Sequence, residues 1–269
     1  FISAANITLA NAVVANTGLG TDRVGTFRID SIGNTFSGEL TAGASDFTLS
    51  TNGTGAVNLT GKITGGNGLK LLSHNSGGTA LTVTLANASG TNDYAGNTTI
   101  NENPFAGRSY TLVLGADNQI PNGAGKGNVV INSNGTGVGT LNLNGKSDTI
   151  NGLSGNGTVT TTVAGASVLT IGDGNTTSSF SGTISQSTGT VAITKTGTGT
   201  MTLSGANTYS GNTLVEDGAL LLNNTHTGGG LITVTGNAIL GGSTGTGQIG
   251  HVEMSPGTTL SPGYIGSLD

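Results

Sequence analysis

The sequence contains no cysteine and no tryptophan, and it has few prolines, aromatic residues and charged residues. Without cysteine, disulfides, thiolate nucleophiles and cysteine-based metal sites are excluded. Eight basic residues among 269 are too few to form a basic face, so the composition predicts no binding to nucleic acid. A collagen triple helix is also excluded, because there are only four prolines and glycine does not recur at every third position.

Four small residue types dominate what is present. Glycine (50), threonine (46), asparagine (28) and serine (24) together supply 148 of the 269 residues. Intrinsic disorder is not expected, because 33% of the residues are hydrophobic and the net charge is only −5. No run approaches the roughly 18 apolar residues that a membrane-spanning helix needs. The composition therefore predicts a folded chain that has a core and does not insert into a membrane.

Apolar residues recur mainly at every second position, in short runs separated by Asn-Gly and other turn sequences. This period indicates β-strands with one buried face, and no window keeps helical spacing for three turns. The chain is predicted to be all-β. The number of strands alone does not distinguish a sandwich, a barrel and a solenoid. Representative runs are Ile7 with Leu9, Phe47 with Leu49, Leu81 with Val83 and Leu85, Leu141 with Leu143, Met201 with Leu203, and Ile232 with Val234.

Internal repetition favours the solenoid. Residues 92–100 and 207–215 are identical at five positions, and shorter echoes surround Phe36 and Phe180. The aromatic residues at 36, 94, 180 and 209 are separated by nearly whole multiples of 29. Repetition at a few tens of residues is typical of solenoids, and coils of roughly 20 to 30 residues with Gly-rich corners predict a parallel β-helix. An array of β-sandwiches, with antiparallel pairing, is the alternative that this spacing disfavours.

The repeated motif supplies the candidate site residues, to which we assign a structural role in the coil. We expect Tyr94 and Tyr209 to stack along the coil rather than to bind ligands. The predicted set is Phe36, Gly38, Asn92, Tyr94, Gly96, Phe180, Gly182, Asn207, Tyr209 and Gly211.

Residues 192–223 closely resemble the autotransporter-associated β-strand repeat. The resemblance rests on Thr194-Lys195-Thr196-Gly197-Thr198-Gly199, on Leu203 through Gly211 and on Gly218-Ala219-Leu220. It is strong over 141–223 and weaker elsewhere. It implies a right-handed parallel β-helix on the outer surface of a Gram-negative-type bacterium, with an adhesive, aggregative or structural role, no catalysis and no cofactor. On this basis residues 1–269 are expected to form a single elongated domain, with 224–269 as its C-terminal turns.

The N-terminal residues Phe1-Ile2-Ser3 lack the basic stretch and apolar core of a signal peptide. Such a chain is either not exported or a mature portion of an exported protein. The absence of an initiating methionine favours the mature portion, in agreement with the extracellular location that the resemblance implies.

Few residues have the spacing of a catalytic or metal site. His74, His226 and His251 have no ligand spacing between them and are expected to be solvated or in turns. The adjacent Glu216 and Asp217 would point to opposite faces of a strand, so they indicate a turn. One cluster supports an alternative function, a carbohydrate-active enzyme or glycan-binding module on the same scaffold. It comprises Asp22, Arg23, Arg28 and Asp30.

Self-association is the predicted partnership. The segment from Ile7 to Val14 contains neither a charged residue nor a proline, which are the usual protections of a strand edge. An unprotected edge accepts a further strand, and head-to-tail addition of copies would make an open-ended filament. The partners expected are therefore other copies of this chain, or other cell-surface components.

Overall fold

The computed structural model describes residues 8–11, 13–15, 27–51, 53–73, 80–102, 106–242, 249 and 251–262. Regular structure in these residues consists of β-strands, with no helix. The chain divides into two compact units. Unit 1 comprises Phe1–Pro121 and Gly125–Asn142, and unit 2 comprises Asn122–Ala124 and Leu143–Asp269.

Most strands of unit 1 are short, because the chain turns a corner every few residues. They are β1 (Thr8–Leu9), β2 (Val13–Ala15), β3 (Phe27–Arg28), β4 (Asn34–Phe36), β5 (Leu40–Ala42), β6 (Phe47–Thr51), β7 (Thr54–Leu59), β8 (Ile63–Gly65), β9 (Leu69–Ser73), β10 (Ala80–Leu85), β11 (Asp93–Tyr94), β12 (Thr98–Ile100), β13 (Ser109–Leu114), β14 (Val129–Ile131), β15 (Ser133–Asn134) and β16 (Gly137–Asn142).

Unit 2 continues in the same way. Its strands are β17 (Asp148–Ile150), β18 (Leu153–Gly155), β19 (Thr158–Thr160), β20 (Ala166–Ile171), β21 (Ser178–Phe180), β22 (Thr183–Ile184), β23 (Thr190–Lys195), β24 (Thr200–Leu203), β25 (Thr213–Val215), β26 (Ala219–Leu222), β27 (Ile232–Val234), β28 (Ile239–Gly242), β29 (Val252–Met254) and β30 (Thr259–Pro262).

Within unit 1 every third strand or so pairs in parallel with its counterpart one turn later. The ladders run β1-β4-β7-β10-β13-β16, β2-β5-β8-β11 and β3-β6-β9-β12-β14. A small antiparallel hairpin, β15 with β16, interrupts this pattern. Unit 2 has ladders β17-β20-β23-β25-β27-β29, β18-β21-β24-β26-β28-β30 and β19-β22. Parallel strands stacked turn on turn are a β-solenoid, which confirms the all-β, parallel β-helical prediction. The right hand of the coil and its single-domain continuity stay predictions.

The core of each unit consists of inward columns of side chains that follow the ladders. In β10 the inward residues Leu81, Val83 and Leu85 are all buried, while the threonines between them are partly exposed. Each inward residue faces an equivalent one on the next turn, as Leu85 faces Leu114. Alternation thus places the apolar side chains inside, and the pairing of successive turns stacks them.

The turns vary in length, which differs from the constant period suggested by the aromatic spacing. In unit 1 a long turn separates Ala80 from its partner Ser109, whereas a shorter one separates Asn34 from Val57. In unit 2 the turn from Thr213 to its partner Ile232 is shorter still. The strands keep register while the corners change length, so corner insertions erase a fixed sequence period.

A pair of introduced cysteines tests the parallel register in unit 1. Thr82 and Thr111 are paired and partly exposed. Paired Cα atoms on adjacent strands lie about 4.8 Å apart, within disulfide range, so Thr82→Cys with Thr111→Cys should form a disulfide under mild oxidation. Loss of free thiol is the measurement, and the chain has no other cysteine to interfere.

The matched control moves one cysteine by two residues along the strand. Thr82→Cys with Val113→Cys places the Cα atoms diagonally, roughly 8 Å apart, beyond the reach of a disulfide. Equal oxidation of the two double variants would contradict the register.

Candidate functional site

The repeated motif forms a corner in each unit, which we call the motif corner. It comprises Asn92, Tyr94, Gly96, Asn97 and Thr98 in unit 1, and Asn207, Tyr209, Gly211, Asn212 and Thr213 in unit 2. The first corner joins β11 to β12, and the second leads into β25. Several matching side chains at the two corners make matching hydrogen bonds, as the motif positions show in turn.

The first asparagine of the motif binds the preceding turn. Asn92 Oδ1 accepts a hydrogen bond of 2.9 Å from the backbone N–H of Ile63, 29 residues earlier. Asn207 Oδ1 accepts an equivalent bond of 2.9 Å from Ile184, 23 residues earlier. Both asparagines are buried. Each therefore satisfies a backbone donor that water cannot reach, and ties one turn to the turn before it.

The other half of each amide is also satisfied, but by different partners. Asn92 Nδ2 donates to Gln119 O at 2.8 Å, and the buried Gln119 side chain accepts from the backbone N–H of Asn87 at 2.8 Å. Asn207 Nδ2 donates instead to Gly205 O within its own turn, at 2.9 Å. The motif corner of unit 1 is thus extended into a small amide network that reaches the following turn.

Each motif tyrosine is buried inside its corner and shares a hydrogen bond with the threonine four residues later. The hydroxyls of Tyr94 and Thr98 share a hydrogen bond of 2.6 Å, and those of Tyr209 and Thr213 share one of 2.7 Å. Both rings are buried. Burial raises the pKa of Tyr209 to about 12, and the hydrogen bond with Thr213 opposes that rise. A four-residue spacing thus lets one hydroxyl across the corner satisfy the polar tip of a buried ring.

Glycine is required sterically at all four predicted positions. A Cβ on Gly96 would lie 2.4 Å from the backbone nitrogen of Gly68, and one on Gly211 would lie 2.4 Å from Val191 O. At the shorter echoes the distances are 2.2 Å, from Gly38 to Asn11 O, and 1.9 Å, from Gly182 to Gly157 O. Since the obstructing atoms belong to the backbone of the preceding turn, no side chain can move aside to make room.

The second asparagine of the motif binds the following turn. Asn97 Oδ1 accepts a hydrogen bond of 2.8 Å from the backbone N–H of Asn128, 31 residues later. Asn212 Oδ1 accepts one of 3.2 Å from Leu231, 19 residues later. Each motif corner is therefore hydrogen-bonded to the turn before it and to the turn after it.

Phe36 and Phe180 are buried at comparable strand ends but lack the hydroxyl bond. Phe36 packs edge-on against Phe27, with centroids 5.2 Å apart. In unit 1, Phe36 lies on the β1 ladder and Tyr94 on the β2 ladder, so these two rings do not stack on one another. The ring of Tyr209 contacts His226 one turn later.

Lys195 is a buried residue of the repeat to which the sequence prediction assigned no role. It occupies an inward position of β23, between Ile171 and Val215 on the neighbouring turns, and is 0% exposed. Its Nζ donates to Thr196 O and Gly197 O at 2.7 Å and to Asp217 O at 3.1 Å. Burial lowers its pKa, and the charge of Asp217 opposes this. Strand alternation from Val191 was a signal that could have placed Lys195 inside.

The charged residues and histidines singled out in the sequence do not form one cluster among the described residues. Arg28 and Asp30 form a partly buried ion pair, whereas Asp22 and Arg23 lie outside the described residues, as does His74. Asp217 Oδ1 accepts from the N–H of Gly218 at 2.7 Å, the geometry of a turn. His251 is exposed. His226 is buried, so it is not solvated, and it lies in the segment between β26 and β27.

The described residues contain no group of three or more His, Cys, Asp and Glu side chains that could hold a metal ion. No helix in the described part of the chain is both long and apolar enough to span a bilayer.

Two segments of the chain, residues 77–102 and 193–222, match the family described as passenger-associated-transport-repeat. Each match contains one motif corner. This repeat is typical of autotransporter passenger domains, and the finding confirms the resemblance drawn from the sequence. No curated protein and no solved structure gives a significant match to the chain.

Replacement of the motif glycine tests the close contact between turns. Gly96→Ala should lower the free energy of unfolding by about 1–3 kcal/mol, because the added methyl group contacts the backbone of Gly68. Gly66→Ala is the matched control in unit 1, since a Cβ there would have no atom of the described residues within 4 Å. Urea unfolding of both variants is the measurement, and equal losses would contradict the steric role.

Alkaline unfolding tests the buried tyrosine. A tyrosine exposed on unfolding has a pKa near 10, whereas that of folded Tyr209 is about 12. Between these values the unfolded state loses its proton first, so the stability present below pH 10 falls as the pH rises. Tyr209→Phe should remove about 2–3 kcal/mol of this alkaline loss. Identical pH profiles of urea unfolding in the two proteins would refute the assignment.

Proposed function

We propose that this chain is a non-enzymatic structural segment of a secreted or cell-surface bacterial protein, and that copies of it associate end to end. The repeat family supports the passenger-type role. The polar residues of the repeated motif support a structural rather than a catalytic role, because their amides and hydroxyls form hydrogen bonds within the chain itself.

The observation that carries the association is the exposed core of the last described turn. Met254 continues the inward column of Val215 and Val234, yet it is 39% exposed. Val252 and Leu260 likewise continue the buried columns of Ile232 and Leu240, and both are partly exposed. We call Val252, Met254 and Leu260 the C-terminal end face. A further turn stacked on this face would bury all three side chains.

The strand edges at this face favour another solenoid turn as the occupant. Among the described residues, β29 pairs with β27 alone and β30 with β28 alone, so each leaves one edge open. At the other end of the described chain, β1 pairs with β4 alone and β3 with β6 alone. Leu9 and Phe27 on those strands are half-buried. An N-terminal turn of a second copy therefore offers strands and apolar side chains complementary to those of the end face.

Charge substitution at the end face tests the association. Electron microscopy of the purified chain over a concentration series should show filaments that lengthen with concentration. Val252→Lys with Met254→Lys should abolish them, because two ammonium groups would be buried without partners. Sedimentation of the same samples measures the fraction assembled.

The matched control is Val163→Lys, since Val163 has the same 39% exposure as Met254 but lies away from the end face. It should assemble as the unmodified chain does. Single particles at every concentration, or equal loss of assembly in the control, would refute end-to-end association. Single particles would instead favour contact with other cell-surface components.

A further inference from the structure

His226 lies in the segment 223–231, between β26 and β27, which we call the histidine corner. Its backbone forms a parallel bridge with Asn207 of the motif corner. Its ring lies against that of Tyr209, with centroids 4.3 Å apart and an interplanar angle of 45°. The residue is 2% exposed. The histidine corner therefore contacts the motif corner through the backbone bridge to Asn207 and through the imidazole ring against Tyr209.

The backbone on either side of His226 is hydrogen-bonded to Asn207, whereas the side chain has no hydrogen-bond partner among the described residues. The N–H of Asn207 donates to Thr225 O at 2.9 Å, and the N–H of Thr227 donates to Asn207 O at 3.1 Å. Neither Nδ1 nor Nε2 of His226 has a hydrogen-bond partner among the described residues. A neutral imidazole tolerates this packing better than an imidazolium, whose two N–H donors would both be buried and unpaired.

The charged groups of neighbouring turns are engaged elsewhere. The ammonium of Lys195 is bound to three backbone carbonyls, and the carboxylate of Asp217 accepts from Gly218. Glu253 lies 3.8 Å from His251 on the last turn. Tyr209 is the titratable group in ring contact with His226, and its own hydroxyl is bound to Thr213. Burial alone lowers the pKa of His226.

We propose that His226 is an acid-sensitive latch, and that protonation of its imidazole opens the histidine corner and separates it from the motif corner. The imidazole takes its proton from water, and the resulting imidazolium reaches hydrogen-bond acceptors only when the corner moves into solvent. The latch depends on the fold of unit 2 alone and holds whether or not copies of the chain associate.

The direction of the pH dependence follows from the proton balance. The open corner binds a proton with a pKa near 6.5, whereas the closed corner resists protonation. Stability of the closed corner is therefore complete above that value and falls as the pH drops below it. The opening equilibrium constant should rise up to tenfold for each pH unit between 6.5 and the lower pKa of the closed state.

Hydrogen exchange measures this opening directly. Exchange of the backbone amides of Asn207 and Thr227, corrected for the intrinsic rate at each pH, should accelerate from pH 7 to pH 5 in the unmodified chain. His226→Phe keeps a buried ring but cannot take up a proton, so its opening should be independent of pH over this range. His251→Phe is the matched control, because His251 is 76% exposed, and it should behave as the unmodified chain does.

Titration of the His226 imidazole by NMR provides a second test that needs no variant at position 226. The signal of His226 should titrate below pH 6.5, the ordinary value of an imidazole, together with the loss of amide protection at the histidine corner. Two results would overturn the latch: titration of His226 at the ordinary imidazole value near 6.5, or acid opening in His226→Phe with the slope of the unmodified chain. If His226→Phe does not fold, the titration decides the question.

Discussion

The spacing between successive turns is the constraint on which the rest of the structure depends. Parallel pairing holds adjacent strands about 4.8 Å apart, and the corners between strands must keep the same spacing. Backbone then contacts backbone, and there is no room for a Cβ. In unit 2 this contact runs through three turns, since a Cβ on Gly182 would strike Gly157 O and one on Gly205 would strike Gly182 O. At these stacked corners glycine is thus a steric requirement.

Corners packed this tightly exclude water, so their backbone groups need partners from the chain. Asparagine provides them economically, because one amide both donates and accepts. Asn207 satisfies Ile184 N and Gly205 O together. Lys195 does the same for carbonyls, with one ammonium bound to three of them. At the corners, glycine allows the close contact between turns and asparagine satisfies the backbone groups. Threonine satisfies the hydroxyls of the buried motif tyrosines.

The two motif corners are hydrogen-bonded both to the turn before them and to the turn after them. In such a one-dimensional array the stability of a turn depends on its neighbours. On the last described turn Met254 continues the inward column of the buried Val234 and is 39% exposed. His226 is a different kind of exception, because its ring is buried without the hydrogen bonds that the motif residues have.

The sequence by itself determined the strand class, the inward residues and the motif. Alternation placed Leu81, Val83 and Leu85 inside, and the repeated segment marked the corners at Tyr94 and Tyr209, because both signals are local. It did not determine which turns pair, since register depends on corner length, and long and short turns share the same ladder geometry. Nor did it show that His226 is buried or that the Asn92 and Asn207 amides reach the preceding turn. Those contacts join residues that are far apart along the chain, and only the stacking of turns brings them together.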